Sequence, residues 1–533
     1  MVRLTIDGKE IEVPEGTNII EAARRLGIEV PHYCYHPGLS IAGQCRLCMV
    51  ELGNNPRPQI ACNTQVAEGL VVRTETPKVL ETRQSIMEFH LINHPLDCPV
   101  CDQAGECGLQ IYYMKHGLYE PRMVDEKVHK PKAVPLGPHV ILDAERCILC
   151  SRCVRFCDEV TGTAELGIFD RGDHSEIGLF PGTELANPYS ANVIDLCPVG
   201  ALTDRDFRFA VRVWYLETAR SICPGCSRGC NIDVHYNVRR PHHNQGRRVA
   251  RLKPRFNAEV NRWWICDAGR YGGKFVDDPS RLGAPARGRG EAAIEVGWEE
   301  MIPLIASQLR RYRPDEIGVL ASPKMANEDL FLVKRLADHL GPVHVDFRVP
   351  PRTPGDEDRI LIKADKNPNT RGAELIGLGP RPGGLDARGM LRAARERRIK
   401  CLWVFHHDLL ASAWPAAEVG DALRAVECFI YQGSNSNGVS AAAHYVLPSA
   451  AWVERDGTFT NFEGRVQRFW KAVEPLGLSL ADWEILGRLG GALGLGPAPA
   501  SAEACFKALA ASAAPFAGLS YRELRDTGQV IRA

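Results

Sequence analysis

The sequence has no excess charge and no long apolar run. Its 65 lysine and arginine residues balance 65 aspartate and glutamate residues, so bulk charge points neither to nucleic acid nor to anionic lipid as a partner. No stretch of 18 uncharged apolar residues occurs, and we therefore predict no membrane span. Residues 1–8 indicate a strand and a turn rather than an export signal. We expect a cytoplasmic protein, whose thiols stay reduced and available as metal ligands.

A dinucleotide-binding fingerprint is also missing. The glycine-rich segment 377–384 contains prolines where a helix should begin, which does not suit that pattern. A second glycine-rich segment, 487–496, is explained by helix packing or by a helix end. We therefore predict that any dinucleotide or flavin is bound by a partner.

Cysteine is scarce only in the second half of the chain. Sixteen of the 19 cysteines precede residue 267, and only Cys401, Cys428 and Cys505 follow it. Fifteen of the early cysteines and one histidine form four successive sets. Thiolates at such spacings bind soft metals or iron–sulfur clusters. Four sets in a row indicate electron conduction, because one cluster suffices to store an electron.

The first set follows a hairpin signal at Asp7-Gly8 and a helix that Thr17 or Asn18 can cap. Its members are Cys34, Cys45, Cys48 and Cys62. A loop with three ligands and a distant fourth suits a [2Fe–2S] cluster, and Gly38 and Gly43 let that loop turn tightly. A zinc site is the alternative. A Rieske centre does not fit, because the paired histidines that it requires are missing from this motif.

The second set follows a helix predicted from Val79 to Ile92. Its members are His94, Cys98, Cys101 and Cys107. We interpret it as a His/Cys3 [4Fe–4S] site, because three cysteines alone leave the set one ligand short. A neutral imidazole removes one negative charge compared with a thiolate, which by itself raises the reduction potential. Zinc is again the alternative.

The third set resembles a bacterial ferredoxin that has lost one of its two clusters. Counting back from Cys197 places Asn187, Ser190 and Val193 where the second cluster needs thiolates. By the crossed wiring of such ferredoxins, Cys197 completes the remaining [4Fe–4S] cluster and Cys157 is left as a small buried residue. The predicted ligands are Cys147, Cys150, Cys153 and Cys197. Cys157 in place of Cys197 is the alternative assignment.

The fourth set is a cysteine- and glycine-rich loop with a distant last ligand. Its members are Cys223, Cys226, Cys230 and Cys266. Seven arginine and lysine residues lie between residues 239 and 255, and we interpret this stretch as a solvated hairpin or a surface that faces another protein chain. No interleaved aromatic residues support contact with single-stranded nucleic acid.

In the second half, apolar strands alternate with helices. The strands Ile317–Leu320 and Cys401–Phe405 and the helix Asn327–Leu340 are typical of an α/β layer fold with parallel strands. His406 and His407 follow a strand, and we interpret them as structural rather than catalytic.

The four sets in this order resemble the large iron–sulfur protein of respiratory complex I, the bacterial NADH–quinone oxidoreductase. The resemblance covers the first 275 residues. It implies one [2Fe–2S] cluster and three [4Fe–4S] clusters on the ligands named above. The fourth cluster corresponds to an extra centre that lies off the main electron route in some bacterial members.

The second half resembles a molybdopterin-oxidoreductase domain. The residues that carry this resemblance are Asp365–Thr370, Leu447-Pro448 and Glu454–Gln467. Active molybdenum enzymes of this type place a lysine two residues after the fourth cluster cysteine, where this chain has Ala268. We therefore expect a scaffold domain without molybdenum.

The expected fold is a mixture of α+β and α/β domains. We divide it into five segments: a β-grasp [2Fe–2S] ferredoxin-type domain (1–77), a His/Cys3 [4Fe–4S] module (78–120), a degenerate [4Fe–4S] ferredoxin-type domain (138–215), a [4Fe–4S] module of the molybdenum-enzyme type (216–275) and the shortened molybdopterin-oxidoreductase-like domain (276–533).

The resemblance implies a redox subunit that relays electrons from a flavoprotein NADH-oxidising subunit to quinone-side iron–sulfur subunits of the peripheral arm. Neither an NADH site nor a quinone site is expected on this chain. Its place would be the cytoplasmic face of the inner membrane, reached only through the complex. Two alternatives stay open: an electron-transfer subunit of a hydrogenase- or formate-dehydrogenase-linked complex, and a non-conducting assembly scaffold.

Overall fold

The computed structural model describes residues 1–240 and 242–531. The chain divides into two compact units, Met1–Tyr215 and Leu216–Ala533. No helix within the described ranges is long and apolar enough to cross a membrane.

The first unit begins with a five-stranded sheet in the order β2-β1-β5-β3-β4. Its strands are β1 (Val2–Ile6), β2 (Lys9–Val13), β3 (Met49–Leu52), β4 (Gln59–Ile60) and β5 (Leu70–Arg73). β1 and β2 form the hairpin predicted from Asp7-Gly8, and β1 pairs in parallel with β5. Helix α1 (Ile19–Arg25) is capped by Asn18, whose side chain accepts a 2.9 Å hydrogen bond from the Glu21 amide. This is the ferredoxin-like arrangement that the sequence predicted.

The rest of the first unit consists of short elements that hold long loops. Its helices are α2 (Pro77–Leu91), α3 (Gly108–His116), α4 (Arg152–Phe156) and α5 (Asn192–Leu196). Its strands are β6 (Val134–Pro135), β7 (Val140–Leu142), β8 (Leu166–Phe169), β9 (Glu176–Leu179) and β10 (Leu202–Asp204). The helix predicted from Val79 to Ile92 is observed as α2 with both ends shifted by one or two residues. Cys157 starts a π-helical turn directly after α4 and is fully buried.

The second unit opens with an antiparallel sheet formed by β11 (Glu217–Ile222), β12 (Asn231–Tyr236) and β13 (Val249–Pro254). Helix α6 (Asp267–Tyr271) follows. The basic stretch predicted as a hairpin covers the connection after β12 and the whole of β13; its residue 241 is outside the described residues. Arg248 in this stretch is less solvated than expected, because it pairs with Asp277 and with the buried Glu454.

A seven-stranded sheet dominates the second unit, in the order β15-β14-β20-β19-β18-β16-β17. Its strands are β14 (Ala286–Arg287), β15 (Ile294–Glu295), β16 (Ile317–Leu320), β17 (His344–Asp346), β18 (Cys401–Phe405), β19 (Cys428–Gly433) and β20 (Tyr445–Pro448). Strands β16 to β20 pair in parallel. Strands β21 (Gly457–Thr460), β22 (Arg465–Phe469) and β23 (Gln529–Val530) form a separate antiparallel sheet.

Helices cover both faces of the parallel sheet. They are α7 (Trp298–Arg311), α8 (Asn327–Leu340), α9 (Thr370–Ile376), α10 (Ala387–Arg395), α11 (Ala416–Ala425), α12 (Gly438–Ala441), α13 (Asp482–Leu493), α14 (Ala502–Ser512) and α15 (Tyr521–Leu524). Because side chains alternate along a strand, β18 directs Trp403 into the core with α7, α8, α13 and α14, and Leu402 into the core with α10 and α11. The α/β layer fold predicted for the second half is therefore confirmed.

Candidate iron–sulfur centres

The first ligand set lies in the loop between α1 and β3 and in the turn after β4. The Cys34 and Cys45 side chains are in hydrogen-bond contact, and so are those of Cys48 and Cys62. The hydrogen bond between Cys34 and Cys45 lowers the pKa of Cys34 and raises that of Cys45, so the pair shares one proton. The Tyr33 amide donates a 3.4 Å hydrogen bond to Cys45 Sγ. All four cysteines are buried, so this site offers four sulfur ligands that are shielded from solvent.

The backbone of this loop only partly follows the prediction. Gly43 has a φ of 65°, a left-handed conformation that favours glycine. Gly38 is not among the residues with positive φ, and its amide donates to His36 Nδ1 instead. Gly43 is therefore the glycine on which the turn depends.

The second set surrounds a cavity of about 190 Å³ whose lining includes His94, Cys98, Cys101 and Cys107. His94 Nδ1 is buried and has no hydrogen-bond partner among the described residues. Burial also lowers the pKa of His94 to about 4, so its imidazole is neutral at physiological pH. A buried, neutral and unpartnered ring nitrogen is what a metal ligand requires.

Gly200 and Arg146 also line this cavity. A Cβ atom on Gly200 would lie 2.3 Å from Cys101 Sγ, so only glycine lets the backbone approach the thiolate this closely. The Arg146 guanidinium is held by Asp97 and Asp143 at 2.7 and 2.9 Å. Burial raises the pKa of Cys101, and the positive charge of Arg146 opposes part of that rise.

The third set brings Cys147, Cys150, Cys153 and Cys197 together. The charge of Cys197 raises the pKa of each of the other three cysteines. Leu149 and Ser151, with φ of 54° and 58°, bend the ligand loop, and the Leu149 amide donates to Cys147 Sγ at 3.4 Å. Amide hydrogen bonds of this kind stabilise charge on sulfur and tune a cluster's potential.

Cys157 has a different environment from Cys197. The groups that act on it most strongly, after burial itself, are Glu165, the Leu166 amide and Asp158. The charge of Cys157 raises the pKa of Cys153, but less than the charges of Cys150, Cys147 and Cys197 do. The strongest influences on Cys157 thus come from its own turn and from the start of β8 rather than from the other thiols.

The fourth set lies in the second unit. The Cys223 amide donates to the Cys230 carbonyl at 2.8 Å, which closes the ligand loop. The Gly269 amide donates to Cys266 Sγ at 3.3 Å. A Cβ on Gly269 would lie 3.0 Å from Cys223 Sγ and 3.4 Å from Cys266 Sγ, so this glycine is fitted between two thiols from opposite ends of the set.

No three His, Cys, Asp or Glu side chains of residues 1–240 and 242–531 converge closely enough to hold a single metal ion. The donor sets nevertheless fit iron–sulfur clusters. They consist of buried or half-buried thiols and one unpartnered imidazole, and glycines leave room beside the sulfur atoms at Gly200 and Gly269.

Each of the first three sets contributes at least one cysteine to one hydrophobic cluster. Cys34 and Cys45, Cys107, and Cys150 belong to this cluster, together with Tyr33. The charges of Cys45 and Cys107 both raise the pKa of Tyr33, and the charge of Cys107 raises that of Cys197. The first three sets are therefore close neighbours within the first unit.

Two arginines missed by sequence reasoning connect the first and third sets. Arg155 donates to the Cys34 carbonyl at 2.6 Å and to the Cys150 carbonyl at 3.4 Å. Arg152 bonds the carbonyls of Tyr35 and Leu196. No local sequence signal reveals these contacts, because the bonds of Arg155 to Cys34 and of Arg152 to Tyr35 span 121 and 117 residues.

Segments of the second unit that resembled a molybdopterin-oxidoreductase domain converge on the fourth ligand loop. The Ser227 amide donates to the Asp365 carbonyl at 2.9 Å, and the Phe462 amide donates to the Ser227 carbonyl at 2.9 Å. Gln467 Nε2 donates to the Gly229 carbonyl at 2.9 Å. These residues therefore support the cluster loop.

His406 and His407 have structural partners. His406 Nε2 lies 2.9 Å from the buried Asp482 carboxylate, and His407 Nε2 lies 2.8 Å from the Ala321 carbonyl. Burial lowers the pKa of His407 to about 3.

Gly494 ends α13 with a φ of 93°, which explains part of the second glycine-rich segment.

Five family profiles match the chain. They describe a 2Fe-2S iron-sulfur cluster binding domain (residues 1–77), an NADH-ubiquinone oxidoreductase-G iron-sulfur binding region (83–122), the ferredoxin-like domain of an NADH-quinone oxidoreductase subunit (137–203), a molybdopterin oxidoreductase Fe4S4 domain (216–278) and a molybdopterin oxidoreductase domain (379–492). The chain therefore carries a 2Fe–2S domain, 4Fe–4S domains and a molybdopterin-type domain.

Named relatives agree with the profiles. The G-type subunit of the NADH-quinone oxidoreductase of Rickettsia felis is 30% identical over 92% of this chain and 88% of its own length. The mitochondrial NADH dehydrogenase [ubiquinone] iron-sulfur protein 1 of Solanum tuberosum is 37% identical over 64% of this chain and 45% of its own length. A chain of an NAD+-reducing [NiFe]-hydrogenase is 31% identical, with a TM-score of 0.36, over 40% of this chain and 91% of its own. The chain belongs to the family of G-type NADH-quinone oxidoreductase subunits, whose members are iron–sulfur electron-transfer subunits of that oxidoreductase.

Proposed function

We propose that this chain holds one [2Fe–2S] and three [4Fe–4S] clusters and relays electrons from a flavoprotein NADH-oxidising subunit to quinone-side iron–sulfur subunits. When bound, each cluster takes up and passes on a single electron. The proposed ligands are the four sets predicted from the sequence, with His94 in the second set and Cys197, rather than Cys157, in the third.

One observation carries this proposal: each of the first three sets contributes at least one thiol to a shared hydrophobic cluster. A shared apolar core keeps neighbouring centres close and excludes water, which controls their potentials. Arg152 and Arg155 fix the first and third ligand loops against each other through backbone carbonyls. A scaffold without electron transfer would not need buried thiols at these positions.

The chain itself is proposed to bind neither NADH nor quinone, and no molybdenum. Ala268, at the position that is lysine in active molybdenum enzymes, lines the large cavity beside Cys223.

We infer a location on the cytoplasmic face of the inner membrane through the other subunits of the complex. We also retain the five-segment division at 77, 120, 138, 215 and 275 as a proposal. The hydrogenase- or formate-dehydrogenase-linked alternative is not favoured by the relatives.

The substitution Cys107→Ala tests the relay in the intact complex. We expect loss of one [4Fe–4S] signal in electron paramagnetic resonance (EPR) spectra and loss of NADH-driven quinone reduction. Reduction of ferricyanide by NADH at the flavoprotein should continue, because it precedes this chain. Cys505→Ala, on the buried face of α14, is the control and should change neither activity. Quinone reduction at the wild-type rate in the Cys107 variant would refute the relay.

A further inference from the structure

The guanidinium group of Arg152 lies at the junction of the first and third ligand sets. Arg152 is the first residue of α4 in the first unit. Its Nη1 donates a 3.2 Å hydrogen bond to the carbonyl of Leu196, the residue before Cys197. Its Nη2 donates to the carbonyl of Tyr35, the residue after Cys34. One planar group therefore bonds the backbone beside a ligand of each set.

No carboxylate neutralises this guanidinium. Burial lowers the pKa of Arg152, but an arginine stays charged inside a protein. Within the described residues it has no ion pair. The charges that act on it most strongly belong to two cysteines of each set, Cys150 and Cys197 of the third and Cys34 and Cys45 of the first. A buried cation without a counter-charge is strongly destabilising, so its anion is one that the two ligand sets hold.

The arginine beside the second set is arranged differently. The Arg146 guanidinium is neutralised by Asp97 and Asp143 at 2.7 and 2.9 Å. Arg152 has no such acids, and its buried Nε has no hydrogen-bond partner in the described part of the chain. Its charge and this N–H group therefore remain available to an anion held by the neighbouring thiols.

Arg155, three residues further along the chain, adds positive charge at the same junction. Besides the hydrogen bond from Cys45, the charge of Arg155 lowers the pKa of Cys34. Burial raises the pKa of Cys150, and the charges of Arg152 and Arg155 both oppose that rise. The electrostatic effect of this junction therefore reaches a ligand of each set and has the same sign on both.

A fixed cation changes the potential of a cluster in a predictable direction. A cluster that takes up one electron gains one negative charge, so a nearby positive charge stabilises the reduced state and raises the potential. A cation shared by two clusters raises both potentials together. The difference between the two potentials, which drives the electron from one cluster to the other, then changes little.

We propose that Arg152 is the shared counter-charge of the first and third clusters and raises both of their potentials together. This inference rests on the proposed function, because it requires a cluster in each of the two sets. It assigns Arg152 a role beyond bonding two loops: the side chain tunes the step between two neighbouring centres without being a ligand of either.

An EPR-monitored redox titration of the full chain, purified anaerobically with its clusters, tests this role. Arg152→Gln removes the charge but keeps a hydrogen-bond donor, whereas Arg152→Lys keeps the charge. We expect the glutamine variant to change the ratio of reduced to oxidised cluster by about tenfold, a fall in midpoint potential of about 59 mV. This fall should affect the [2Fe–2S] cluster and the [4Fe–4S] cluster whose signal Cys197→Ser removes, and spare the other two.

Two variants serve as controls. Arg152→Lys should have potentials close to those of the wild type, because the positive charge is retained. Arg171→Gln removes an exposed arginine between β8 and β9 of the same unit and should shift none of the four potentials.

Wild-type potentials of both clusters in the Arg152→Gln variant, or a fall in only one of them, would overturn the inference. So would an equal fall in the lysine variant, because the hydrogen bonds rather than the charge would then be responsible. If Arg152→Gln loses either signal, the lysine variant decides: both signals at wild-type potentials support the shared charge, and their loss overturns it. A wild-type chain without [2Fe–2S] and [4Fe–4S] signals would instead refute the proposed function itself.

Discussion

At the scale of single residues, the third ligand set depends on which of two cysteines completes it. Cys197 acts electrostatically on Cys147, Cys150 and Cys153, and its backbone neighbours Val199 and Ala201 donate toward it. Cys157 instead begins a π-helical turn, and the side chain that acts on it most strongly is Glu165. The geometry therefore favours the crossed wiring of ferredoxins.

Cys197→Ser should remove or strongly alter one [4Fe–4S] signal, whereas Cys157→Ser should leave all signals in place. The reason is that the proposed assignment leaves Cys157 as a buried thiol outside the ligand set. EPR spectra of the reduced, anaerobically purified chain give the answer. The reverse pattern would show that Cys157 is the fourth ligand.

Lys366 lies near the fourth ligand set. This chain has Ala268 where active molybdenum enzymes have a lysine, so Lys366 is a cation from another segment. Its positive charge acts on Cys266, and its ammonium group donates to the Asp356 carbonyl at 2.8 Å. It lines the same cavity as Ala268 and Gly269. A cation near a cluster stabilises the reduced, more negative state.

We expect Lys366→Met to lower the midpoint potential of the fourth cluster and Lys366→Arg to leave it nearly unchanged. The potentials of the first three clusters should stay the same in both variants. An EPR-monitored redox titration measures all four, with Lys507→Met as the control. A Lys366→Met potential equal to the wild-type value would exclude this role for the lysine.

At the scale of elements, the second unit is tied together by a buried ion pair. Arg281, just before β14, bonds the Glu454 carboxylate at 2.7 and 3.0 Å, and their side chains are 1% and 0% exposed. Arg248 adds a third contact at 2.8 Å. Glu454 follows β20, so the pair connects the edge of the parallel sheet with the segment that supports the cluster loop.

Arg281→Met should lower the free energy of unfolding by about 3 kcal/mol, because it leaves a buried carboxylate with only one charged partner. Arg424→Met is the matched control. Its pair with Asp421 is 70% and 54% exposed and is worth at most about 0.5 kcal/mol. Denaturant unfolding of both variants measures the difference. Equal effects of the two substitutions would mean that the buried pair contributes no more than a surface one.

Local sequence signals predicted several elements with their observed ends. Ile317–Leu320, Cys401–Phe405 and Asn327–Leu340 match β16, β18 and α8, since uninterrupted apolar runs and an amphipathic repeat are local properties. The spacing of the ligand sets is local too, and its motifs were visible in the sequence. The supporting contacts of Arg155 to Cys34 and of Lys366 to Cys266 were not, because they join segments that are 121 and 100 residues apart. Such contacts depend on the tertiary fold rather than on any local pattern.

At the scale of the whole molecule, the two units differ in what they contribute. The first unit holds three ligand sets around one hydrophobic cluster. The second unit holds the fourth set on a doubly wound domain, and segments of that domain brace the ligand loop. The proposed cluster content assigns two iron atoms to the first set and four to each of the others.

The most direct test of the account is metal analysis of the chain isolated under strictly anaerobic conditions, combined with its Mössbauer spectrum. We expect about 14 iron atoms per chain, a matching amount of acid-labile sulfide, and spectral components of both [2Fe–2S] and [4Fe–4S] type. A colourless preparation that contains zinc in place of iron would contradict the proposal that these thiols and His94 carry electrons.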